Sequence, residues 1–174
     1  MATSISQALR LDRLEGEIWQ LTFDLPGEKV NKLGRAVMTE LGDLLPELER
    51  RGAIGEIGAL ILRSGKKDQF IAGADITLIQ SARSAAEAAD LSSRGQQLMN
   101  AWEDLPFPTI AAVQGPCLGG GCEWTLASTA ILMADDKSTR IGLPEVLLGI
   151  IPGMGGCVRM PRKVGLAQGL EFIL

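Results

Sequence analysis

Two lone glutamates follow glycine or proline in otherwise apolar stretches of the chain. Glu123 comes directly after the Gly-Gly-Gly-Cys run of residues 119–122, and Glu145 comes directly after Pro144. A carboxyl group removed from water favours its neutral form, which raises its pKa toward the range useful for proton transfer. An acid in the first turn of a helix is also stabilised by the helix dipole. The two glutamates therefore indicate either acid–base chemistry or two ordinary helix starts.

Glycines cluster at residue 73, at residues 119–121 and at residues 153–156. No Lys-Ser/Thr pair follows a spaced glycine pair, and Val158 stands where a dinucleotide fingerprint has Gly or Ala, so neither common nucleotide motif is present. Glycine also lets two backbone N–H groups approach one ligand oxygen, an oxyanion hole worth about 3–4 kcal/mol per donor in the transition state. The clusters indicate such a hole or only tight turns.

Composition excludes several mechanisms. The 174 residues contain no histidine, so the chain cannot supply a Ser-His-Asp triad or an H-E-x-x-H zinc site. The net charge of −4 comes without a basic block, and nucleic-acid binding needs clustered Lys and Arg. We therefore expect no metal site and no nucleic-acid partner.

The cysteines and the apolar runs indicate the cellular compartment of the protein. Three cysteines, Cys117, Cys122 and Cys157, form no C-x-x-C pair, and residues 1–10 contain no apolar stretch of the signal-peptide type. The longest apolar runs are far shorter than the roughly 18 residues of a membrane span. We expect a cytoplasmic protein without a membrane span.

Hydrophobic periodicity predicts alternating strands and helices, hence the α/β class. We predict strands at residues 18–23, 57–62, 109–113 and 130–134, and helices at residues 35–51, 84–104 and 122–129. The continuous apolar run 57–62 is typical of a strand in a parallel sheet that is covered on both faces. No internal repeat is present, so residues 1–174 are predicted to form one domain.

Residues 109–123, TIAAVQGPCLGGGCE, closely resemble the enoyl-CoA hydratase/isomerase (crotonase) family. Residues 70–76, FIAGADI, and residues 141–156 continue the resemblance in the order found in the family. Residues 26–33 and 157–162 are most similar to the hydratase part of multifunctional fatty-acid oxidation α subunits. The resemblance implies the ClpP/crotonase fold, a spiral of ββα units. It also implies that the closing C-terminal helices are missing, because residues 170–174 stop in an apolar run.

The resemblance assigns roles to the residues found above. It implies that the backbone N–H groups of Ala74 and Gly120 bind the thioester carbonyl oxygen of the substrate. Glu123 then deprotonates water for attack on the β carbon, and Glu145 delivers a proton to the α carbon.

Further implications concern the substrate site and cofactors. The resemblance places Asp75, Ile76 and Thr77 beside Ala74 and Gly120 along the acyl-CoA site. It requires no metal or redox cofactor, and NAD enters only if a dehydrogenase part follows in a longer polypeptide. Trp124 is larger than the family residue expected there, so we expect it to reshape the acyl pocket.

Three functions stay open at this point. The first is hydration of trans-2-enoyl-CoA to 3-hydroxyacyl-CoA in fatty-acid β-oxidation. The second is Δ3-Δ2 enoyl-CoA isomerisation, which needs one carboxylate to move a proton. The third is a catalytically incomplete fragment that serves only folding or association. Expected partners are acyl-CoA, and either further copies of the chain or a fatty-acid oxidation complex with a thiolase subunit.

Overall fold

Seven strands lie within the part of the chain that the structure describes. The computed structural model describes residues 8–174. The strands are β1 (Leu9–Glu15), β2 (Ile18–Phe23), β3 (Ala59–Ser64), β4 (Thr109–Val113), β5 (Pro116–Leu118), β6 (Ala130–Met133) and β7 (Arg140–Gly142).

The larger sheet has five strands in the order β1-β2-β3-β4-β6. β1 and β2 form an antiparallel hairpin, and every other neighbouring pair in this sheet is parallel. β5 and β7 form a separate two-stranded parallel sheet. The predicted α/β class with a parallel sheet is confirmed.

The first four helices lie in the connections between parallel strands, and the remaining helices follow β7. They are α1 (Arg35–Ala53), α2 (Ile76–Gln80), α3 (Ala85–Glu103), α4 (Gly120–Leu126), a short 3₁₀ helix (Pro144–Leu148), α5 (Gly156–Val164) and α6 (Leu166–Ile173). The predicted helix at residues 84–104 matches α3 and its two caps. The Ser84 hydroxyl accepts a hydrogen bond from the Glu87 N–H, which defines where α3 begins.

Two of the predicted elements are displaced for local reasons, and the other predicted strands and helices differ from the structure by at most two residues at an end. The strand predicted at residues 57–62 begins at Ala59, because its ladder with β2 starts at the Ile18–Ala59 pair. The helix predicted at residues 122–129 spans Gly120–Leu126. Thr109 and Thr129 exchange two backbone-to-hydroxyl hydrogen bonds of 3.1 Å, which attach the chain after α4 to the start of β4.

The core lies between the five-stranded sheet and the helices. Leu60 and Leu62 of β3 are fully buried, as the alternation of side chains along a strand requires. Trp102 of α3 meets Trp124 of α4 edge to face, with ring centroids 5.3 Å apart. Trp102 also donates its indole N–H to the Ser128 hydroxyl at 3.1 Å. These contacts fix α3 against α4.

Gly121 brings α4 very close to the segment before α2. A Cβ at position 121 would lie 2.6 Å from both the Cβ and the carbonyl oxygen of Ile71. Ile71 is itself paired with Cys117 of β5 by a parallel bridge. Neither partner can move independently, so only glycine fits at this position.

We expect Gly121→Ala to lower the free energy of unfolding by about 1–3 kcal/mol, because the added methyl overpacks the contact with Ile71. Urea denaturation followed by circular dichroism measures this loss. Gly42→Ala in α1 is the matched control, since its Cβ would meet only a Leu98 methyl at 3.4 Å. The control is expected to be neutral or stabilising by about 0.5–1 kcal/mol. Equal stability of the Gly121 variant and the parent would contradict the packing argument.

Candidate active site

A cavity of about 980 Å³ opens between α2, α3, the 3₁₀ helix and the beginning of α4. Most of its wall is apolar, and α3 contributes residues such as Leu91 and Leu98. The cavity wall includes five of the predicted site residues, namely Ala74, Ile76, Gly120, Glu123 and Glu145. The structure therefore brings both glutamates and both predicted N–H donors to one place.

Asp75 and Thr77 are outside the cavity wall. The Asp75 carboxylate caps α2 and accepts hydrogen bonds from the Thr77 N–H at 3.0 Å and the Thr77 hydroxyl at 2.7 Å. It also pairs with the Lys32 ammonium at 3.4 Å. The Thr77 groups lower the pKa of Asp75. These two residues shape the start of α2, which carries Ile76 into the wall.

The glycine string lets a sharp turn carry the chain from β5 into α4. Gly119 has φ +50°, a conformation that residues with a side chain rarely adopt. A Cβ there would also lie 3.0 Å from the Glu145 Oε1. Gly120 is the first residue of α4, where backbone N–H groups have no partner within the helix. Among residues 8–174, the Gly120 N–H has no hydrogen-bond acceptor.

The Ala74 N–H is held beside Gly120 by hydrogen bonds on either side of it. Leu33 donates its N–H to the Gly73 carbonyl at 2.8 Å and accepts from the Asp75 N–H at 3.0 Å. The Ala74 N–H between them has no acceptor within the described chain, residues 8–174. The Ala74 nitrogen lies 3.4 Å from where a Cβ on Gly120 would stand. Two unused N–H groups thus border the same small space.

The Glu123 carboxyl is buried in the first turn of α4 and is anchored by a loop. Its Oε1 accepts hydrogen bonds from the Met154 N–H at 2.7 Å and the Gly156 N–H at 2.8 Å. The residue is 2% exposed, and burial raises its pKa to about 7, against the lowering effect of the two N–H groups. Glu123 can therefore exchange a proton near neutral pH.

Glu145 lies in the first turn of the 3₁₀ helix and is 9% exposed. Burial raises the pKa of its carboxyl group. Its Oε2 is buried and has no hydrogen-bond partner among the described residues. The negative charge of Glu145 also raises the pKa of Glu123. The pair resembles other acid–base sites, in which two carboxyl groups have different environments.

Three residues that support the site were not found from the sequence. Asn31 is fully buried, and its amide donates to Phe23, Ser64 and Phe70 while its oxygen accepts from Leu25. It fixes the loop that leads to Leu33 and Ala74. Met154 binds Glu123 through its N–H, and Arg159 contacts the same loop. The sequence gives no signal of these contacts, because each one joins residues that are far apart along the chain or depends on the burial of a polar side chain.

The large residue after Glu123 does not reshape the cavity, so that expectation is wrong. Trp124 is fully buried and packs against Phe23 and Trp102 in the core. Successive residues of a helix point in different directions, so Glu123 faces the cavity while Trp124 faces the sheet.

This fold is that of a known enzyme family. Residues 13–174 match the enoyl-CoA hydratase/isomerase family, and the chain belongs to it. Similar curated proteins include the fatty acid oxidation complex subunit alpha of Aliivibrio fischeri, 48% identical over 91% of this chain and 23% of that protein. The protein of the same name from Vibrio vulnificus is 42% identical over 98% of this chain and 24% of that protein. The predicted resemblance to such α subunits is confirmed, and the chain spans less than a quarter of their length.

Solved structures show the same crotonase fold. An enoyl-CoA hydratase from Bacillus anthracis is 30% identical with a TM-score of 0.84, covering 96% of this chain and 62% of that one. Pseudomonas aeruginosa DspI is 26% identical with a TM-score of 0.86, covering 99% of this chain and 67% of that one. The predicted fold is confirmed. Across residues 8–174, the helices are too short or too polar to cross a membrane.

The buried Glu123 carboxyl makes a pH-dependent contribution to stability. Its pKa is about 7 in the folded chain against an ordinary value of 4.5. Between these values the folded state keeps a proton that the unfolded state has released, so the free energy of unfolding falls as pH rises. Glutamine does not titrate, so the Glu123→Gln variant does not lose this stability. As pH rises from about 4.5 to about 7.5, we expect its free energy of unfolding to increase by about 3 kcal/mol relative to that of the parent.

Urea denaturation at several pH values measures this gain. Glu49→Gln, on the exposed face of α1, controls for the loss of one carboxyl group from the chain. Parallel stability curves for the parent and the Glu123 variant across this pH range would contradict the raised pKa.

Proposed function

We propose that the chain hydrates trans-2-enoyl-CoA thioesters to 3-hydroxyacyl-CoA. The observation that carries this proposal is the placement of two buried carboxyl groups and two unused main-chain N–H groups along one apolar cavity. Membership of the enoyl-CoA hydratase/isomerase family supports the substrate class. An apolar wall suits an acyl chain, and its few polar groups suit a reacting thioester.

The N–H groups of Ala74 and Gly120 receive the thioester carbonyl oxygen in this mechanism. As water adds to the β carbon, the electron pair of the double bond moves toward that oxygen and gives it enolate character. Donors held beforehand at the site of developing charge stabilise the transition state without rearrangement. The bonds of Leu33 on both sides of Ala74 supply that rigidity.

The two glutamates take different protons. Ionised Glu123 removes a proton from water as the oxygen bonds to the β carbon, and its Oε1 stays bonded to Met154 and Gly156. Neutral Glu145 gives its proton to the α carbon as the enolate collapses. Glu123 then holds one proton and Glu145 one negative charge, and proton exchange restores the starting state. Dehydration runs the same steps in reverse.

No redox cofactor or metal enters this proposal, because hydration changes no net oxidation state and the carboxyl and N–H groups account for every proton and charge. NAD becomes relevant only if a dehydrogenase part follows in a longer polypeptide. The curated relatives are named as subunits of a fatty acid oxidation complex, so we also propose a role in fatty-acid β-oxidation within such a complex. A thiolase subunit, further copies of the chain and a cytoplasmic location stay predictions.

Δ3-Δ2 isomerisation is the competing reaction, and it needs one carboxylate to carry a proton between two carbons. The presence of two buried glutamates favours hydration. Crotonyl-CoA and a 3-enoyl-CoA, tested side by side, distinguish the two reactions. Double-bond migration without water addition would replace the proposed function by isomerisation. Activity found only in a longer polypeptide containing this chain would support the incomplete-fragment hypothesis.

Glu123→Gln and Glu145→Gln are each expected to lower kcat for crotonyl-CoA hydration by about 10²–10⁴-fold, because each removes one proton-transfer group. Loss of the enoyl-thioester absorbance measures the rate. Glu49→Gln is the matched control and should hydrate at the parent rate. An unchanged rate in the Glu123 variant would exclude Glu123 as the base.

Gly120→Ala tests the N–H pair. The added methyl would lie 3.4 Å from the Ala74 nitrogen and 3.1 Å from the Met154 methyl. It would therefore occupy the space that we assign to the carbonyl oxygen. We expect kcat to fall by about 10²-fold or more, the effect of losing one oxyanion donor. Gly42→Ala, whose methyl would meet only the wall residue Leu98, serves as the control away from the N–H pair. Parent-like kcat in the folded Gly120 variant would contradict the proposed carbonyl position.

A further inference from the structure

Arg159 is a buried cation that connects α5 to α3. It is 6% exposed. Its Nε and Nη2 donate to the Glu103 Oε2 at 2.9 and 2.6 Å, and Nη2 also donates to the Asn100 Oδ1 at 2.7 Å. Both acceptors belong to the last turn of α3. The guanidinium plane is thereby held in one orientation.

The free edge of this guanidinium faces the loop that binds Glu123. Nη1 donates to the Met154 carbonyl at 3.3 Å and lies against Gly155, where a Cβ would occupy the same space. The Arg159 N–H also donates to the Gly155 carbonyl at 2.9 Å. The same loop makes a second hydrogen bond with α3, in which the Gln96 amide donates to the Gly153 carbonyl at 2.9 Å. Arg159 and Gln96 attach this loop to α3.

Met154 is therefore bonded at both of its backbone polar groups. Its carbonyl accepts from Arg159, and its N–H donates to the Glu123 Oε1. We propose that Arg159 is a positioning residue, which holds the Met154 and Gly156 N–H groups at the Glu123 carboxylate through its contacts with Glu103 and Asn100. This proposal rests on the proposed function for the role of Glu123 as base.

Charge supports the same inference. The Arg159 cation lowers the pKa of Glu123, against burial and against the negative charge of Glu145. Two thiols respond to this carboxylate, Cys122 of α4 and Cys157 of α5: burial and, to a lesser degree, the negative charge of Glu123 raise the pKa of both. Both thiols stay neutral near pH 7. Arg159 is thus the cation that opposes burial at Glu123.

Arg159→Met and Arg159→Lys separate position from charge. Lysine keeps the positive charge but cannot reproduce the forked contacts of the guanidinium. In the full chain, amide hydrogen exchange by NMR is expected to be at least tenfold faster at Met154 and Gly156 in both variants, with β4 unchanged. A carboxyl titration by ¹³C NMR is expected to place the pKa of Glu123 above its parent value of about 7 in the methionine variant. Arg50→Met on the exposed surface of α1 is the matched control.

Kinetics supply the second readout. In crotonyl-CoA hydration we expect kcat of Arg159→Met to fall about 10–100-fold with KM nearly unchanged, because a misplaced base slows chemistry more than binding. The acidic limb of the pH–rate profile is expected to move to higher pH. If Arg159→Met does not fold, Asn100→Ala, which keeps the ion pair with Glu103, is expected to show the same changes in smaller measure.

Parent-like exchange at Met154 and Gly156 in a folded Arg159→Met variant would overturn the proposal. So would full rescue by lysine, since charge alone would then explain the effect. The two NMR readouts need no turnover, so they test Arg159 even where crotonyl-CoA is not hydrated. If neither the parent nor the variants hydrate crotonyl-CoA but the expected exchange changes are present, the proposed function is overturned and the positioning role of Arg159 is supported.

Discussion

The burial of ionisable carboxyl groups in an apolar cavity is the constraint on which the rest of this structure depends. A carboxylate without water either loses its charge or requires hydrogen-bond donors. Glu123 is held between these limits by two N–H groups that oppose the effect of burial on its pKa. At Glu145, whose Oε2 has no hydrogen-bond partner within residues 8–174, burial is the main influence on the pKa and raises it. Unequal surroundings give two identical side chains different proton affinities.

Main-chain geometry carries much of the site. The N–H groups at Ala74 and Gly120 are placed by backbone pairing and by the start of a helix, and those that hold Glu123 come from a loop. Glycines make this possible for separate reasons: Gly119 adopts φ +50°, whereas Gly121 allows α4 to touch Ile71. Side chains supply the two carboxyl groups and the apolar wall, and those of Asn31 and Arg159 hold the loops in place. The proposed acid–base chemistry therefore requires no histidine, which this chain lacks.

The sequence predicted the elements that contain strong periodicity or caps, and it singled out the two carboxyl groups that the structure brings to one cavity. Local patterns determine these features: Ser84 begins α3, and an isolated glutamate in an apolar run is visible in the sequence. The supporting contacts could not be predicted, because Asn31 binds Ser64 and Arg159 binds Glu103 across long stretches of chain. The ends of β3 and α4 were missed because contacts distant in sequence accompany them: pairing with β2 for β3, and the Thr109–Thr129 hydrogen bonds after α4.

The loop contact with Glu123 also bears on how the chain folds. Glu123 and Met154 are 31 residues apart, and Arg159 reaches Glu103 over 56 residues. Contacts of such sequence separation form only after the intervening chain has been ordered, since loop closure costs entropy before it is compensated. Met154 and Gly156 therefore bind Glu123 only once α3, α4 and α5 are assembled. We therefore expect the hydrogen bonds from Met154 and Gly156 to Glu123 to form late in folding. Local opening that separates α5 from α3 would break them while the sheet is still intact.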